Sequence, residues 1–251
     1  MKVAVAGSSG LVGSALLAVL AAKGHEVVRV ARGEFAIVDG CDAVVHLAGE
    51  RIEGRWTAEK KRRIHESRSH GTQQLCEALA RTRNRPRVLV CASRVRIYGD
   101  RGEEWVTEES ETGRGFLADV CRDWEAATAL AARVGMRVVN LRVGIVLSQR
   151  GGALGRPLRP VRVGLGGVIG DGGQYWSWIA IDDVVDVMLH SLMEERLRGP
   201  VNAVAPNSVT NRQYTRTLGR VLRRPTLLPL PAFGEIADAI LLGSRRVLWV
   251  E

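Results

Sequence analysis

Residues 2–13 read KVAVAGSSGLVG, and they carry the clearest signal of the fold in this sequence. After Lys2 the run is short, apolar and partly β-branched, which is typical of a buried strand. Residues 14–22 are strong helix formers and stop before Gly24, so a helix is predicted there. The stretch therefore predicts a strand, a glycine turn and a helix.

Glycines in this position have separate roles in dinucleotide-binding proteins. The first permits the tight turn, the second lets backbone approach a pyrophosphate, and the third lets the helix pack closely on the sheet. The helix N-terminus adds free N–H groups and a positive dipole end. The alternative is a glycine-rich turn without a ligand. We expect a dinucleotide on the loop residues Gly7, Ser8, Ser9, Gly10, Leu11, Val12 and Gly13.

The end of the next predicted strand, residues 26–31, indicates which dinucleotide binds. A carboxylate there binds the ribose 2′-hydroxyl of NAD, whereas an arginine accommodates the 2′-phosphate of NADP. The sequence continues Ala31-Arg32-Gly33 and has no acid before Glu34. We therefore expect NADP(H), with Arg32 as the determinant, the alternative being a solvated surface arginine.

Further apolar runs alternate with helical stretches along the chain. This alternation predicts a doubly wound parallel sheet of the α/β class, the Rossmann fold, with helices on both faces. Residues 1–150 are expected to form the dinucleotide-binding core. The predicted strands are 43–47, 87–92 and 136–141, and the predicted helices are 59–81 and 118–133.

The remaining residues, 151–251, are expected to form a glycine-rich loop and a small C-terminal substrate lobe integrated with the core and cut short at residue 251. Nine glycines between residues 151 and 173 predict a long loop rather than a helix or strand. The predicted elements after it are a helix over 181–192, a strand over 201–204, a helix over 211–222 capped by Thr210 or Asn211, and a last helix near Ala237.

Composition and charge narrow the class of protein. The 251 residues carry a net charge of +9, but only four of the 36 basic residues are lysines and the arginines are scattered, which argues against a nucleic-acid-binding stripe. The basic run at residues 60–63 reads as a solvated helix face. The four cysteines are dispersed and indicate neither disulfides nor a metal site. No apolar run has membrane-spanning length, so a cytoplasmic protein without nucleic-acid or membrane partners is expected.

Motifs spread along the chain resemble those of a known group. The motifs are residues 7–13, HLAGE at 46–50, SR at 67–68, YGD at 98–100, FLADVCRDWE at 116–125, LRVG at 141–144, GLGG at 164–167 and SWIAIDD at 177–183. Together they resemble the epimerase-like branch of the extended short-chain dehydrogenase/reductases, the NAD-dependent epimerase/dehydratase-like family. The resemblance implies an NADP(H) site in a body like that of nucleotide-sugar epimerases. It also implies that the cofactor lies near Ala31, Arg32, Leu47, Ala48, Gly49, Arg68 and Val146.

Catalysis in that superfamily uses a Ser or Thr together with a Tyr acidified by a Lys four residues later, and this pair is absent here. If Glu125 is aligned with the glutamate that often follows this motif, then Leu117 stands at the position of the Tyr and Cys121 at the position of the Lys. Neither side chain can replace the Tyr-Lys pair in proton transfer. Ser93 and Tyr98 are therefore the candidate catalytic residues. The alternatives are a strand-end cap for Ser93 and a loop anchor for Tyr98.

Three other features have structural interpretations. His46 lies on an apolar strand and is interpreted as a core histidine rather than a base. Asp182 and Asp183 open a predicted helix, which favours N-caps over an acid pair. Residues 33–42 are too few for an ordinary helical crossover, so the sheet is expected to lack a third strand on the adenine side.

These inferences together predict an NADP(H)-dependent oxidoreductase or epimerase-like enzyme. Its substrate is expected to be a small molecule, either a nucleotide sugar or a carbonyl compound, held between the sheet and residues 151–178. The main alternative is a non-catalytic NADP(H)-binding module, and the weakest is a basic nucleic-acid-associated protein. A homodimer is the expected assembly.

Overall fold

The structure, a computed structural model, describes residues 1–228, without the side chains of residues 156 and 157. Its strands are β1 Lys2–Ala6, β2 Glu26–Val30, β3 Ala43–His46, β4 Val88–Arg94, β5 Arg137–Val143, β6 Ile145–Ser148, β7 Tyr175–Trp176, β8 Trp178–Ala180, β9 Gly199–Ala203 and β10 Val209–Thr210. Its helices are α1 Leu11–Ala22, α2 Ala58–Arg81, α3 Phe116–Ala126, α4 Ala129–Arg133, α5 Gly152–Arg162, α6 Ile181–Met193 and α7 Asn211–Leu222.

Six of these strands form one parallel sheet in the order β2-β1-β3-β4-β5-β9. The strand order reverses between β1 and β3, because β2 lies on one side of β1 and all later strands lie on the other. Since the sheet is parallel, the carboxyl ends of its strands meet at one edge. Ligands of such sheets bind outside that edge, at the point of reversal.

Helices cover both faces of the sheet. Val3, Val5 and Val45 pack with α1 and α6 on one face, whereas Val44 and Leu89 pack with α2 and α4 on the other. Each such buried side chain contributes roughly 1.5–3 kcal/mol. The predicted doubly wound Rossmann fold is therefore confirmed.

The short connection between β2 and β3 is made without a helix of ordinary length. A single 3-10 turn, Phe35–Val38, fills the crossover, and Val38 and Cys41 are buried beneath the sheet. Within the described residues β2 is the edge strand, as the shortness of residues 33–42 predicted.

The prediction of a continuous loop over residues 151–173 was wrong, because Gly152–Arg162 forms helix α5. Its glycines and prolines argue against a helix locally, but Val161 is buried and Leu154 and Leu158 face α7 across a cavity. Tertiary packing of this apolar stripe therefore overrides local propensity.

The remaining differences between the predicted and the observed elements concern where helices begin and end. The predicted helix 118–133 is two helices, α3 and α4. The prediction that Asp182 and Asp183 are N-caps was wrong, because Ala180 occupies the N-cap position and makes no side-chain cap hydrogen bond. Both aspartates lie in the first turn of α6. Their negative charges there interact favourably with the positive end of the helix dipole. Thr210 caps α7 in a capping box with Gln213, as predicted. The predicted helix near Ala237 lies outside the described residues.

Candidate functional site

The glycine loop lies at the point where the strand order reverses. Gly7 has a φ of +82°, and an added Cβ would lie 2.6 Å from the backbone nitrogen of Ala48, so neither its conformation nor its surroundings accept a side chain. A Cβ on Gly13 would lie 2.2 Å from the carbonyl oxygen of Gly7. These two glycines let the loop, the helix and the end of β3 pack in direct contact.

Gly10 differs from its two neighbours in the motif. The nearest atom to an added Cβ is the Gly7 carbonyl oxygen at 3.4 Å, so this side of the loop is open. Helix α1 begins next to it with no side-chain cap and no acidic residue in its first turn. An uncapped helix N-terminus beside an open backbone face has the form of a pyrophosphate cradle, so the residues present fit a dinucleotide.

Arg32 follows β2 at the same edge and is exposed. The carboxylate of Glu50 lies close enough to interact with Arg32, but it is already paired, since Lys60 donates to its Oε1 at 2.6 Å. This hydrogen bond, followed by the charges of Lys60, Arg63 and Arg32, lowers the pKa of Glu50. Lys60 therefore compensates the carboxylate charge that would otherwise oppose an anion at Arg32.

Leu47, Ala48 and Gly49 leave β3 at the reversal point, and Arg68 supports the segment that follows. Arg68 is 9% exposed, and its guanidinium donates to the carbonyl oxygens of Ile64 and Glu50 at 3.1 and 3.0 Å. An added Cβ on Gly49 would lie 3.1 Å from the guanidinium carbon. Arg68 is thus a buried side chain that supports the loop after β3 through hydrogen bonds.

The guanidinium of Arg68 also packs against an aromatic ring. Its guanidinium carbon lies 5.0 Å from the ring centre of Trp124, a cation–π distance. Burial, and then the charge of Arg94, lowers the pKa of Arg68 to about 10. The group therefore stays charged at neutral pH.

Val146 and the start of α5 close the other side of the glycine loop. Val146 is buried in the core that α1 and α6 share. An added Cβ on Gly152 would lie 3.1 Å from the Val146 carbonyl oxygen and 3.2 Å from Cδ2 of Leu11. The segment 146–152 therefore lies beside the N-terminus of α1.

Ser93 and Tyr98 occur together near the end of β4, but their hydroxyls point into the protein. Ser93 is 1% exposed and donates to Oε1 of Glu125 at 2.6 Å. Tyr98 is equally buried; it donates to Oδ1 of Asn202 at 2.7 Å and accepts from Arg142 at 2.9 Å. Burial raises the pKa of Tyr98, so its phenol is neutral.

A buried ion pair joins these hydroxyls. Arg142 donates through Nε and Nη2 to the two oxygens of Glu125, at 3.0 and 2.9 Å, in a bidentate arrangement. Burial alone would lower the pKa of Arg142, but the hydrogen bonds and charge of Glu125 outweigh it and raise the pKa. The network ties α3 to β4, β5 and β9. The catalytic roles of Ser93 and Tyr98 stay predictions, and their contacts are those of structural residues.

The residue after Ser93 was missed by the sequence analysis. β4 extends to Arg94, two residues beyond its predicted end. Successive side chains alternate along a strand, and Ser93 is buried while Arg94 is exposed. The exposed polar side chain at this strand end is therefore Arg94.

Helix α3 carries Leu117 and Cys121 beside this strand end. Leu117 is half-buried and packs with Trp56 and Ile64. Burial raises the pKa of the Cys121 thiol to about 11. Neither side chain exchanges protons near neutral pH, as the sequence predicted.

His46 is a core histidine, as predicted. It is 2% exposed, and its Nε2 lies 2.9 Å from Oγ1 of Thr72. Burial, and then the charge of Arg68, lowers the pKa of His46 to about 4. The ring is therefore neutral at physiological pH.

A parallel doubly wound sheet with an open glycine cradle at its reversal point defines a Rossmann-type dinucleotide-binding protein. The model of the NAD dependent epimerase/dehydratase family matches residues 3–203. The chain belongs to this family, so the resemblance stated from its motifs is confirmed.

Individual relatives match nearly the whole chain. An epimerase family protein of Mycobacterium bovis is 42% identical over 98% of this chain and 89% of its own length. The human epimerase family protein SDR39U1 is 36% identical over 99% of this chain and 92% of its own. A crystal structure of human SDR39U1 (isoform 2) with NADPH matches with a TM-score of 0.92 at 35% identity, covering 99% of this chain and 91% of that one.

A second solved structure is more distant in shape. The nucleoside-diphosphate sugar epimerase from Corynebacterium glutamicum matches with a TM-score of 0.83 at 40% identity. The match covers 99% of this chain but 53% of that one, so the chain spans about half of that protein. Separately, no helix within residues 1–228 combines the length and apolarity needed to cross a membrane.

Proposed function

We propose that this chain binds NADP(H) along the carboxyl edge of its sheet and acts as an NADP(H)-dependent oxidoreductase or epimerase-like enzyme on a small molecule. The observation that carries the proposal is the open backbone at Gly10 beside the uncapped N-terminus of α1. The NADPH named with the crystal structure of human SDR39U1 supports the choice of cofactor.

Different residues at this edge would bind different parts of the cofactor. The loop at residues 7–13 would bind the pyrophosphate, and Arg32, with Ala31, would meet the 2′-phosphate. Leu47, Ala48 and Gly49 would line the cofactor along the end of β3, with Arg68 holding that segment from behind, and Val146 would lie beside it. When bound, NADPH supplies a hydride to its substrate.

Proton exchange in this protein does not use a tyrosine and lysine on α3, because Leu117 and Cys121 stand there. The same observation favours a second candidate, a non-catalytic NADP(H)-binding module. In either case the Ser93, Tyr98, Glu125 and Arg142 network would fix the strand ends under the cofactor.

The two candidates differ in turnover. Purified protein is incubated with NADPH and a panel of carbonyl compounds and nucleotide sugars, and NADPH oxidation and sugar epimers are measured. Turnover that is lost in Gly10→Val supports the enzyme. NADPH binding without turnover across the panel supports the binding module, and absence of NADPH binding overturns both.

A further inference from the structure

The C-terminal end of helix α7 contains two residues that are locally unfavourable. Arg223, directly after the helix, has a φ of +53° and is the one residue other than glycine with a positive φ among residues 1–228. A left-handed residue at a helix end is usually glycine or asparagine, because a Cβ opposes this conformation. Gly219 lies inside α7, where glycine is a poor helix former. Both residues therefore weaken this end of the helix by their local preferences.

The left-handed turn at Arg223 and the glycine at 219 let the chain fold back against α7. The backbone N–H of Arg224 donates to the carbonyl oxygen of Gly219 at 2.9 Å. An added Cβ on Gly219 would lie 2.7 Å from Cγ2 of Thr226 and 2.9 Å from the carbonyl oxygen of Arg224, so this close return requires glycine. Nε of Arg224 also donates to the carbonyl oxygen of Arg162 at 2.9 Å. This bond fixes the returning segment to the end of α5.

The returning segment and α7 border a surface cavity of about 630 Å³, a volume in the range of small-molecule sites. The arginines at positions 216, 220, 223 and 224 line it, and none of its other lining residues is acidic. The chain has no Asp or Glu between Glu195 and residue 228. Asp171 lies near the start of α7, where its carbonyl oxygen accepts from Arg212, and it does not line the cavity. The lining residues therefore carry four positive charges and no negative one.

Most donors of these four guanidiniums are available to a ligand. The side chains of Arg216 and Arg223 donate to no other residue in the part of the chain that the structure describes. Arg220 makes one long contact, from Nη2 to Oγ1 of Thr217 at 3.4 Å. Arg224 donates through Nε and Nη1 to carbonyl oxygens and keeps Nη2 without a partner among residues 1–228. The cavity thus presents several unused cationic donors to one volume of solvent.

Linked phosphates match this arrangement best. A guanidinium presents parallel N–H donors that fit the oxygens of a phosphate. A diphosphate or triphosphate carries several negative charges in a short chain, so it can contact several arginines at once, which a monocarboxylate cannot. No aromatic side chain lines the cavity, so it lacks the stacking surface on which proteins bind the bases of single-stranded nucleic acid.

From this arrangement we propose that the arginine-lined cavity at the end of α7 binds a small anion that carries two or more linked phosphates. The locally unfavourable conformations at Gly219 and Arg223 then have a function, since both shape the cavity. The site is separate from the glycine loop, and the proposal does not depend on the proposed function.

The test is calorimetric titration at physiological ionic strength with tripolyphosphate and, for comparison, sulfate. Vesicles containing phosphatidylserine and a single-stranded oligonucleotide are titrated as alternative sources of phosphate. The variants are the pair Arg216→Gln with Arg223→Gln, the single change Arg223→Gly, and Gly10→Val. The matched control is Arg83→Gln with Arg133→Gln, which removes the same charge from two exposed arginines outside the cavity. Thermal unfolding shows that each variant is folded.

We expect tripolyphosphate to bind the unmodified chain at least about tenfold more tightly than sulfate, and the pair at 216 and 223 to weaken it by about tenfold or more. Arg223→Gly should also weaken binding, yet unfold at or above the temperature of the parent, because glycine adopts the left-handed conformation without strain. The control pair and Gly10→Val should bind tripolyphosphate like the unmodified chain.

Four results would overturn the proposal: no tripolyphosphate binding at millimolar concentration, sulfate binding of equal strength, an equal loss in the control pair, or tighter binding of vesicles or oligonucleotide. Loss of tripolyphosphate binding in folded Gly10→Val would place the probe on the glycine loop and overturn it as well. The failure of NADPH binding overturns the proposed function alone, since none of these titrations contains NADPH.

Discussion

Removing Arg142 should destabilise the protein strongly, because it leaves Glu125 buried without its partner. The two side chains are 7% and 13% exposed, and Arg142 also donates to Tyr98 and to the carbonyl oxygen of Glu108 at 2.9 and 3.1 Å. Breaking a buried pair from one side costs about 3–5 kcal/mol. For a chain of this size each kcal/mol lowers Tm by about 2–4 °C, so Arg142→Met should lower Tm by about 6–20 °C.

The assay is urea unfolding of four proteins: the unmodified chain, Arg142→Met, Glu125→Gln and the double variant. The free energy of unfolding should fall by less in the double variant than the sum of its decreases in the two single variants, because both charges are removed together. Arg63→Met is the control, since Arg63 forms an exposed pair with Glu59 at 3.1 Å and should change stability by no more than about 1 kcal/mol. If Arg142→Met costs no more stability than the control, or if the two single losses add strictly, then the buried pair does not stabilise the fold.

Three further predictions concern single side chains. Arg32→Ala should erase most of a preference for NADPH over NADH, by roughly tenfold or more in affinity; fluorescence titrations giving equal affinities in the unmodified protein would contradict it. The folded-state pKa of His46, about 4, lies below its ordinary value of 6.5, so the unfolded state binds the proton first. The free energy of unfolding should therefore fall as pH drops from 6.5 toward 4, by about 3 kcal/mol, and His46→Gln should remove that part of the pH dependence measured in urea. Tyr98→Phe should cost roughly 1–3 kcal/mol of stability with NADPH affinity unchanged, whereas a loss of turnover above about a hundredfold would make Tyr98 a catalytic residue.

The glycine loop could be predicted because its signal is local: three glycines between a strand and a helix. Helix α5 could not, because its glycines and prolines oppose a helix locally and the packing of Val161 that favours it comes from the tertiary fold. Arg94 was missed for a related reason. Which of two adjacent residues faces outward depends on where β4 ends, and its predicted end fell two residues early.

The buried network could not be predicted from sequence either. Glu125 and Arg142 are 17 residues apart, beyond the reach of any local helix or turn pairing, and the parallel pairing of β4 with β5 brings the end of β5 to α3. Ser93 and Tyr98 were correctly placed near one strand end, but the direction of their hydroxyls depends on that pairing.

Calorimetric titration of NADPH into the unmodified chain and into Gly10→Val tests whether the glycine loop binds the dinucleotide. Gly10 has a φ of −73° that valine accepts, and an added Cβ comes no closer than 3.4 Å to the protein, so the variant should keep the thermal unfolding profile of the parent. We predict that the unmodified chain binds NADPH and that folded Gly10→Val does not, because the side chain occupies the space of the pyrophosphate. Equal NADPH affinity in the two folded proteins would show that the pyrophosphate does not bind at Gly10.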